Sequence, residues 1–131
     1  MTNTIVSCLE QGISKEAALG APGRTSLTFQ ELRTHIKTTV DALNSRGIGR
    51  NDRVAIVLPN GPEMASAFLA VGACATTAPL NPGYRADEYD FYLSDLGAKA
   101  LIVEKNSSSP AIEVAKSRNI NVMEIAWSDT D

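Results

Sequence analysis

The chain has 131 residues, a formal net charge of -3, 44% hydrophobic residues and 21% charged residues. This size and composition indicate one globular domain, residues 1–131, and the acidic balance argues against nucleic acid as a partner, because phosphate binding needs a basic patch. The sequence has no apolar run long enough to span a bilayer, and its N-terminus lacks the basic start and apolar core of a signal peptide. Cys8 and Cys74 lie far apart in the sequence, so we expect two unpaired thiols. Unpaired thiols are typical of a reducing compartment, and we therefore predict a cytoplasmic protein.

The first third of the chain predicts two helices around a small hairpin. Apolar residues in 4–13 recur on one helix face, and Pro22-Gly23 predicts the turn of a hairpin over about 17–28. Thr28 and Glu31 have the spacing of a capping box, and the apolar steps that follow predict a helix that stops at Gly47.

The rest of the chain alternates strands with helices. The predicted strands are 53–58, 76–80, 98–103 and 121–125, and the predicted helices between them are 63–75, 86–96 and 110–118. Strands so far apart pair in parallel through right-handed crossovers. We therefore predict an α/β fold: a three-layer, mostly parallel, flavodoxin-like sheet with flanking helices over about 29–125, preceded by the small N-terminal hairpin.

The helix predicted over 63–75 is apolar on every side. Between Ala65 and Ala75 the only polar side chain is that of Ser66. A helix of this kind is buried on more than one side, so we infer that a partner chain or the rest of a longer chain covers its second face. The alternative is an alanine-rich helix whose small side chains tolerate exposure.

Three groups of residues invite a chemical interpretation. Residues 59–62 follow a strand and open a helix, where α/β folds bind ligands, but Pro62 removes an N–H that a phosphate cradle needs, so we favour a simple helix start. The acidic set Asp87, Glu88, Asp90 and Asp95 could act as acid and base or hold a metal, yet its placement favours a solvated helix face. His35 lies at the flank of its helix and is predicted to be a surface residue.

Several segments together resemble the adenylate-forming enzymes. The motifs are LTFQEL at 27–32, GRNDRVAI at 49–56, LPNGPE at 58–63 and FLAVGACATTAPLNP at 68–82. They resemble, in the same order, the LTYxEL, GxGDRVAI, LPNSPE and LAxxxAGAxxxPLNP segments of that family. The match continues through Tyr84, Glu88, 92–95 and 100–103, and the wording is most similar to acyl-CoA synthetases of the 4-coumarate and oxalate ligase branch.

The resemblance implies a two-step ligase reaction for the full-length enzyme. A carboxylate attacks Mg-ATP to give an acyl-adenylate and pyrophosphate, and coenzyme A then displaces AMP to give the acyl-CoA. ATP, Mg and coenzyme A are thus implied for the full-length enzyme, but the glycine-rich phosphate loop and the catalytic lysine of the family have no counterpart here. Residues 105–109 lack the glycines. We assign no catalytic, cofactor-binding or metal residue, and read Gly72, Pro79 and Asn81 as scaffold.

We therefore interpret the chain as a fragment. Residues 1–131 are predicted to form the N-terminal subdomain of the large domain of an acyl-CoA synthetase, inactive alone, with the remainder of the same polypeptide packing on helix 63–75. The isolated fragment is expected to expose an apolar patch, so it should associate with itself or bind a hydrophobic dye. Two alternatives stay open: a stand-alone protein-interaction module that uses helix 63–75, and a small independent nucleotide-binding domain, which would need a direct affinity for ATP.

Overall fold

The computed structural model describes residues 5–10, 16–20, 27–59 and 61–125. Its elements are α1 (Ile5–Glu10), β1 (Ala17–Leu19), β2 (Leu27–Thr28), α2 (Phe29–Ser45), β3 (Arg53–Val57), α3 (Pro62–Gly72), β4 (Thr76–Pro79), α4 (Ala86–Leu96), β5 (Ala100–Glu104), α5 (Pro110–Ser117) and β6 (Asn121–Ile125). Each predicted helix and strand after residue 28 is present, although the apolar helix ends at Gly72 rather than at residue 75. The part of the predicted first helix beyond Glu10 lies outside the described residues.

Four of the strands form one parallel sheet in the order β4-β3-β5-β6. The α/β class with a parallel sheet and flanking helices is therefore confirmed. β1 and β2 pair antiparallel in a separate two-stranded sheet. The predicted turn at Pro22-Gly23 lies outside the described residues, so the hairpin connection itself stays a prediction.

The side chains of β3 divide the core into two halves. Val54 and Ile56 point to one face and join residues of α2 and α3, whereas Ala55 and Val57 point to the other face and join residues of α4 and α5. All four are at most 4% exposed. Successive side chains of a strand face opposite ways, so a strand buried throughout must be covered by helices on both faces.

The ends of α2 follow the predicted capping pattern. The Thr28 hydroxyl accepts a hydrogen bond from the Glu31 N–H at 3.2 Å, and the Glu31 carboxylate accepts one from the Thr28 N–H at 3.0 Å. This reciprocal pair satisfies two donors of the first turn. At the other end the helix stops at Ser45, and Gly47 has a φ of +78°, which is the left-handed conformation that favours glycine.

α3 is packed on two sides within the chain itself. Ala67 and Val71 face the sheet, while Ala70 is buried in a separate cluster with side chains of α2. The lack of a side chain at Gly72 lets α1 pack closely against α3, because a Cβ at this position would lie 2.7 Å from Cδ1 of Ile5. Much of the face that the sequence left open for a partner is thus covered by α1 and α2. The large side chain that remains exposed on α3 is Phe68, at 43%.

Candidate functional site at the carboxyl edge of the sheet

The carboxyl ends of β3, β4 and β5 form the edge where an α/β sheet of this order binds ligands. The chain runs from β3 outward to β4 and then returns past β3 to β5, so the strand order reverses between β3 and β5. Ligands of open α/β sheets bind outside the carboxyl ends of the strands at such a reversal. The starts of α3, α4 and α5 follow these strand ends, and their first turns decide what the edge can bind.

The start of α3 does not suit a phosphate group. Pro62 occupies the first turn, so that turn lacks one N–H donor, and no side chain caps the helix at Gly61. Glu63 adds a carboxylate to the same turn, where it interacts favourably with the helix dipole. The proline confirms the predicted helix start at this turn. Asn60, which belongs to the same segment, lies outside the described residues.

The starts of α4 and α5 are occupied by the chain's own side chains. Glu88 accepts a hydrogen bond from the Arg85 N–H at 3.0 Å, and the Ser109 hydroxyl accepts one from the Ala111 N–H at 3.2 Å. Acidic residues stand in both first turns, Asp87 and Glu88 in α4 and Glu113 in α5. Carboxylates thus stand in the first turns of all three helices, and Arg85, the cation at the start of α4, is already paired with Asp87 and Glu88. The described residues of this edge therefore do not fit ATP, and we derive no catalytic step from them.

The acidic residues of α4 lie on a solvent-exposed face. Asp87, Asp90 and Asp95 are exposed, and Glu88 is half-buried. Arg118 Nε donates a hydrogen bond to the Asp90 carboxylate at 2.7 Å, and this bond lowers the pKa of Asp90. The residues that the structure describes contain no group of three or more His, Cys, Asp or Glu side chains that could hold a metal ion. The predicted solvated face is confirmed.

An aromatic cluster supports the end of β4. The Tyr89 hydroxyl donates a hydrogen bond to the Asn81 carbonyl at 2.7 Å, and the Asn81 side chain accepts one from the Gly83 N–H at 2.8 Å. Tyr84 stacks on Tyr92 with ring centroids 5.2 Å apart, and their side-chain hydrogen bond raises the pKa of Tyr84. These contacts fix the turn after β4, which agrees with the scaffold role that the sequence indicates for Asn81.

The prediction that His35 is a surface residue is wrong. His35 is half-buried, its Nε2 is buried without a hydrogen-bond partner, and burial lowers its pKa. The histidine lines a cavity of about 230 Å³ between α2 and the β5–β6 side of the sheet. Helix periodicity placed His35 at the flank of α2, but it carries no information on how far β6 extends beneath that flank. The buried nitrogen is the feature that sequence reasoning missed.

The state of Cys74 and the length of the helices bear on two further predictions from the sequence. Cys74 is a free, half-buried thiol whose pKa is raised by burial, as a thiol without a catalytic environment is. Within the described segments, every helix is too short or too polar to cross a membrane.

Comparison with known proteins identifies the family to which this chain belongs. The family model described as AMP-binding enzyme matches residues 7–130. Oxalate–CoA ligase of Arabidopsis thaliana is 38% identical over 127 residues, which cover 92% of this chain and 25% of the relative. Oxalate–CoA ligase of Saccharomyces cerevisiae is 36% identical over 117 residues, which cover 81% of this chain and 22% of that protein. The chain thus spans about a quarter of the length of these relatives.

A solved structure shares the fold. The ATP-bound MatB of Rhodopseudomonas palustris superposes with a TM-score of 0.80 at 20% identity, over 96% of this chain and 26% of that one. The family match over residues 7–130 includes the segments at 27–32, 49–56, 58–63 and 68–82. The chain belongs to the AMP-binding enzyme family of adenylate-forming acyl-CoA synthetases and matches the N-terminal part of these ligases.

Proposed function

We propose that this chain is the N-terminal scaffold part of the large domain of an ATP-dependent acyl-CoA ligase. The full enzyme would join a carboxylate to coenzyme A with Mg-ATP, through an acyl-adenylate, and release AMP and pyrophosphate. The observation that carries the proposal is the family match over residues 7–130 together with a length of about a quarter of the relatives. The strand order corresponds to a flavodoxin-like sheet, which is the label we propose for this part.

The same proposal predicts that the chain is inactive on its own. The carboxyl edge has Pro62 and Glu63 where a phosphate cradle would need free N–H groups, so adenylation depends on residues outside this stretch. The remainder of the polypeptide would pack against α3 at the exposed Phe68. A stand-alone interaction module that uses this same side chain is the second candidate, because a phenylalanine 43% exposed on a helix whose other residues are buried or half-buried offers an anchor for a partner.

A chimera tests the proposal. The segment of the Arabidopsis oxalate–CoA ligase that aligns with this chain is replaced by this chain, and oxalate-dependent ATP–pyrophosphate exchange is measured. We expect an active chimera, and no exchange by the isolated chain or by the ligase from which the aligned segment has been deleted. A folded but inactive chimera would count against the scaffold role, and exchange catalysed by the isolated chain would refute the predicted inactivity.

A further inference from the structure

The outer side of β6 presents unpaired backbone groups. The Asn121 N–H is directed at the Lys99 carbonyl, and the Ile125 carbonyl accepts from the Lys105 N–H at 2.8 Å, so both residues point their backbone groups inward to β5. Backbone groups alternate in direction along a strand, and Met123 therefore also points inward. The N–H and C=O groups of Val122 and Glu124 point outward. Among the described strands, none pairs with this side of β6.

Nothing in the sequence of β6 blocks pairing at this edge. The strand reads NVMEI and pairs with β5 in continuous register, without a bulge. Natural sheets protect open edges with proline, charged side chains, bulges or a covering element, because unpaired edge groups recruit other strands. The described part of β6 has no proline and no bulge, and its one charged residue is Glu124. The backbone of its outer side is therefore free to pair with a further strand.

A cavity lies beside β6, between this strand and α2. Its wall is mostly apolar, with Ala42 of α2, Ala67 of α3, Ile102 of β5, and Met123 and Ile125 of β6. His35 Nε2 is a buried polar atom in this wall without a hydrogen-bond partner. A buried polar group that stays unpaired destabilises the fold, and most such groups in native structures have a partner. The cavity therefore has room for apolar side chains and for one group that hydrogen-bonds His35 Nε2.

We propose that a β-strand from the part of the ligase outside this chain pairs with the outer side of β6 at Val122 and Glu124. Side chains that accompany this strand fill the cavity, and one polar group among them hydrogen-bonds His35 Nε2. The inference rests on the proposed function, because the occupant comes from the three quarters of the relatives' length that this chain does not match. A second copy of the chain, paired through the same edge, is the competing occupant.

Amide hydrogen exchange of the isolated chain and of the Arabidopsis chimera tests the proposal, with sedimentation to establish the mass of each. In the isolated monomer we expect fast exchange at Val122 and Glu124 and slow exchange at Met123, which serves as the internal control. In the chimera both outward amides should slow by at least ~100-fold, since only an opening of the new pairing exposes them. Slow exchange at Val122 and Glu124 in the isolated monomer, or in an isolated dimer, would overturn the assigned occupant.

A pair of variants locates the effect at the edge. Glu124→Pro removes an outward N–H, while Glu124→Gln removes the charge and keeps that N–H. We expect the chimera with Glu124→Pro to lose at least ~10-fold of its pyrophosphate exchange activity and the one with Glu124→Gln to keep it, because only proline blocks strand pairing. An active chimera with fast exchange at both outward amides refutes the edge assignment and leaves the proposed function standing. A folded chimera without activity refutes the proposed function, and the edge inference with it.

Discussion

The two outer strands of the parallel sheet differ in the backbone groups that their open edges leave unpaired. In β4 the N–H groups of Thr76 and Leu80 donate inward to carbonyls on the β3 side, so the alternate residues Thr77 and Pro79 point outward. Proline has no N–H, and this edge therefore presents one outward donor, at Thr77. β6 retains both of its outward N–H groups. The difference supports the proposal that a further strand pairs with β6 and that β4 forms the edge of the sheet.

The largest expected effect is a difference in unfolding free energy between proline variants on the inner side and on the outer side of β6. Met123→Pro removes an N–H directed at β5 and should lower the free energy of unfolding by roughly 2–3 kcal/mol. Glu124→Pro removes an outward N–H and should cost the isolated chain less than about 1 kcal/mol. Denaturant unfolding measures both, and the alanine variants at the same positions correct for the lost side chains. Equal costs for the two prolines would show that β6 is already paired on both sides.

The cap of α2 provides a reference far from both edges. Thr28→Ala removes the hydroxyl that accepts from the Glu31 N–H and should cost about 1 kcal/mol in unfolding free energy. The exchange of the Val122 and Glu124 amides should stay fast in this variant. If Thr28→Ala slowed exchange at the Val122 and Glu124 amides and left exchange at Met123 unchanged, the exchange rates of the two outward amides would not measure strand pairing at the edge.

A proline replacement at β4 should make the two edges alike. Pro79→Thr restores an outward N–H in a strand that remains paired with β3 on its inner side. We expect the unfolding free energy to change by less than about 1 kcal/mol and self-association, measured by sedimentation at increasing concentration, to rise above that of the parent. Pro59→Thr, in the loop after β3, is the matched control. Unchanged association of Pro79→Thr would weaken the protective role assigned to Pro79.

The smallest effect is the pH dependence caused by His35. Burial holds its pKa below the ordinary value of 6.5, and Glu124, the acidic residue of the cavity wall, is exposed. The unfolded chain therefore binds the proton more tightly, so this contribution to stability is complete above pH 6.5 and is lost as the pH falls through the folded-state pKa. NMR titration should find a pKa below 6.5, and His35→Gln should remove this part of the pH dependence. A pKa above 6.5 would contradict the buried position.

Local patterns in the sequence predicted most of the fold. The bounds of α4 and β6 match the predicted ones, since a run of apolar steps ends at a clear signal such as Gly97, which adopts the left-handed conformation after α4. The end of α3 was predicted three residues too late. The apolar pattern continues through Ala75, whereas the helix itself ends at Gly72, so hydrophobicity alone did not mark its end.

The misplaced features depend on contacts between distant segments. His35 was assigned to the surface because the periodicity of α2 does not reveal that β6 lies beside it. The partner expected on the second face of α3 stays a prediction, but the apolar pattern of α3 did not reveal that Leu32 and Ile36 of α2 already cover Ala70. No catalytic residue was assigned because the phosphate loop and the catalytic lysine of the family have no counterpart in the sequence, and this assignment stays a prediction.

The position of β3 in the sheet has a consequence for synthesis on the ribosome. β3 lies at the centre, yet both of its neighbours, β4 and β5, come later in the chain. β5 is complete only roughly 50 residues after β3, which corresponds to about 3–10 s at typical translation rates of about 5–20 residues per second. During this interval the apolar residues Val54–Val57 have left the ribosome without their second partner strand. We expect nascent chains stalled between β4 and β5 to be more sensitive to protease and to recruit more chaperone than chains stalled after α5.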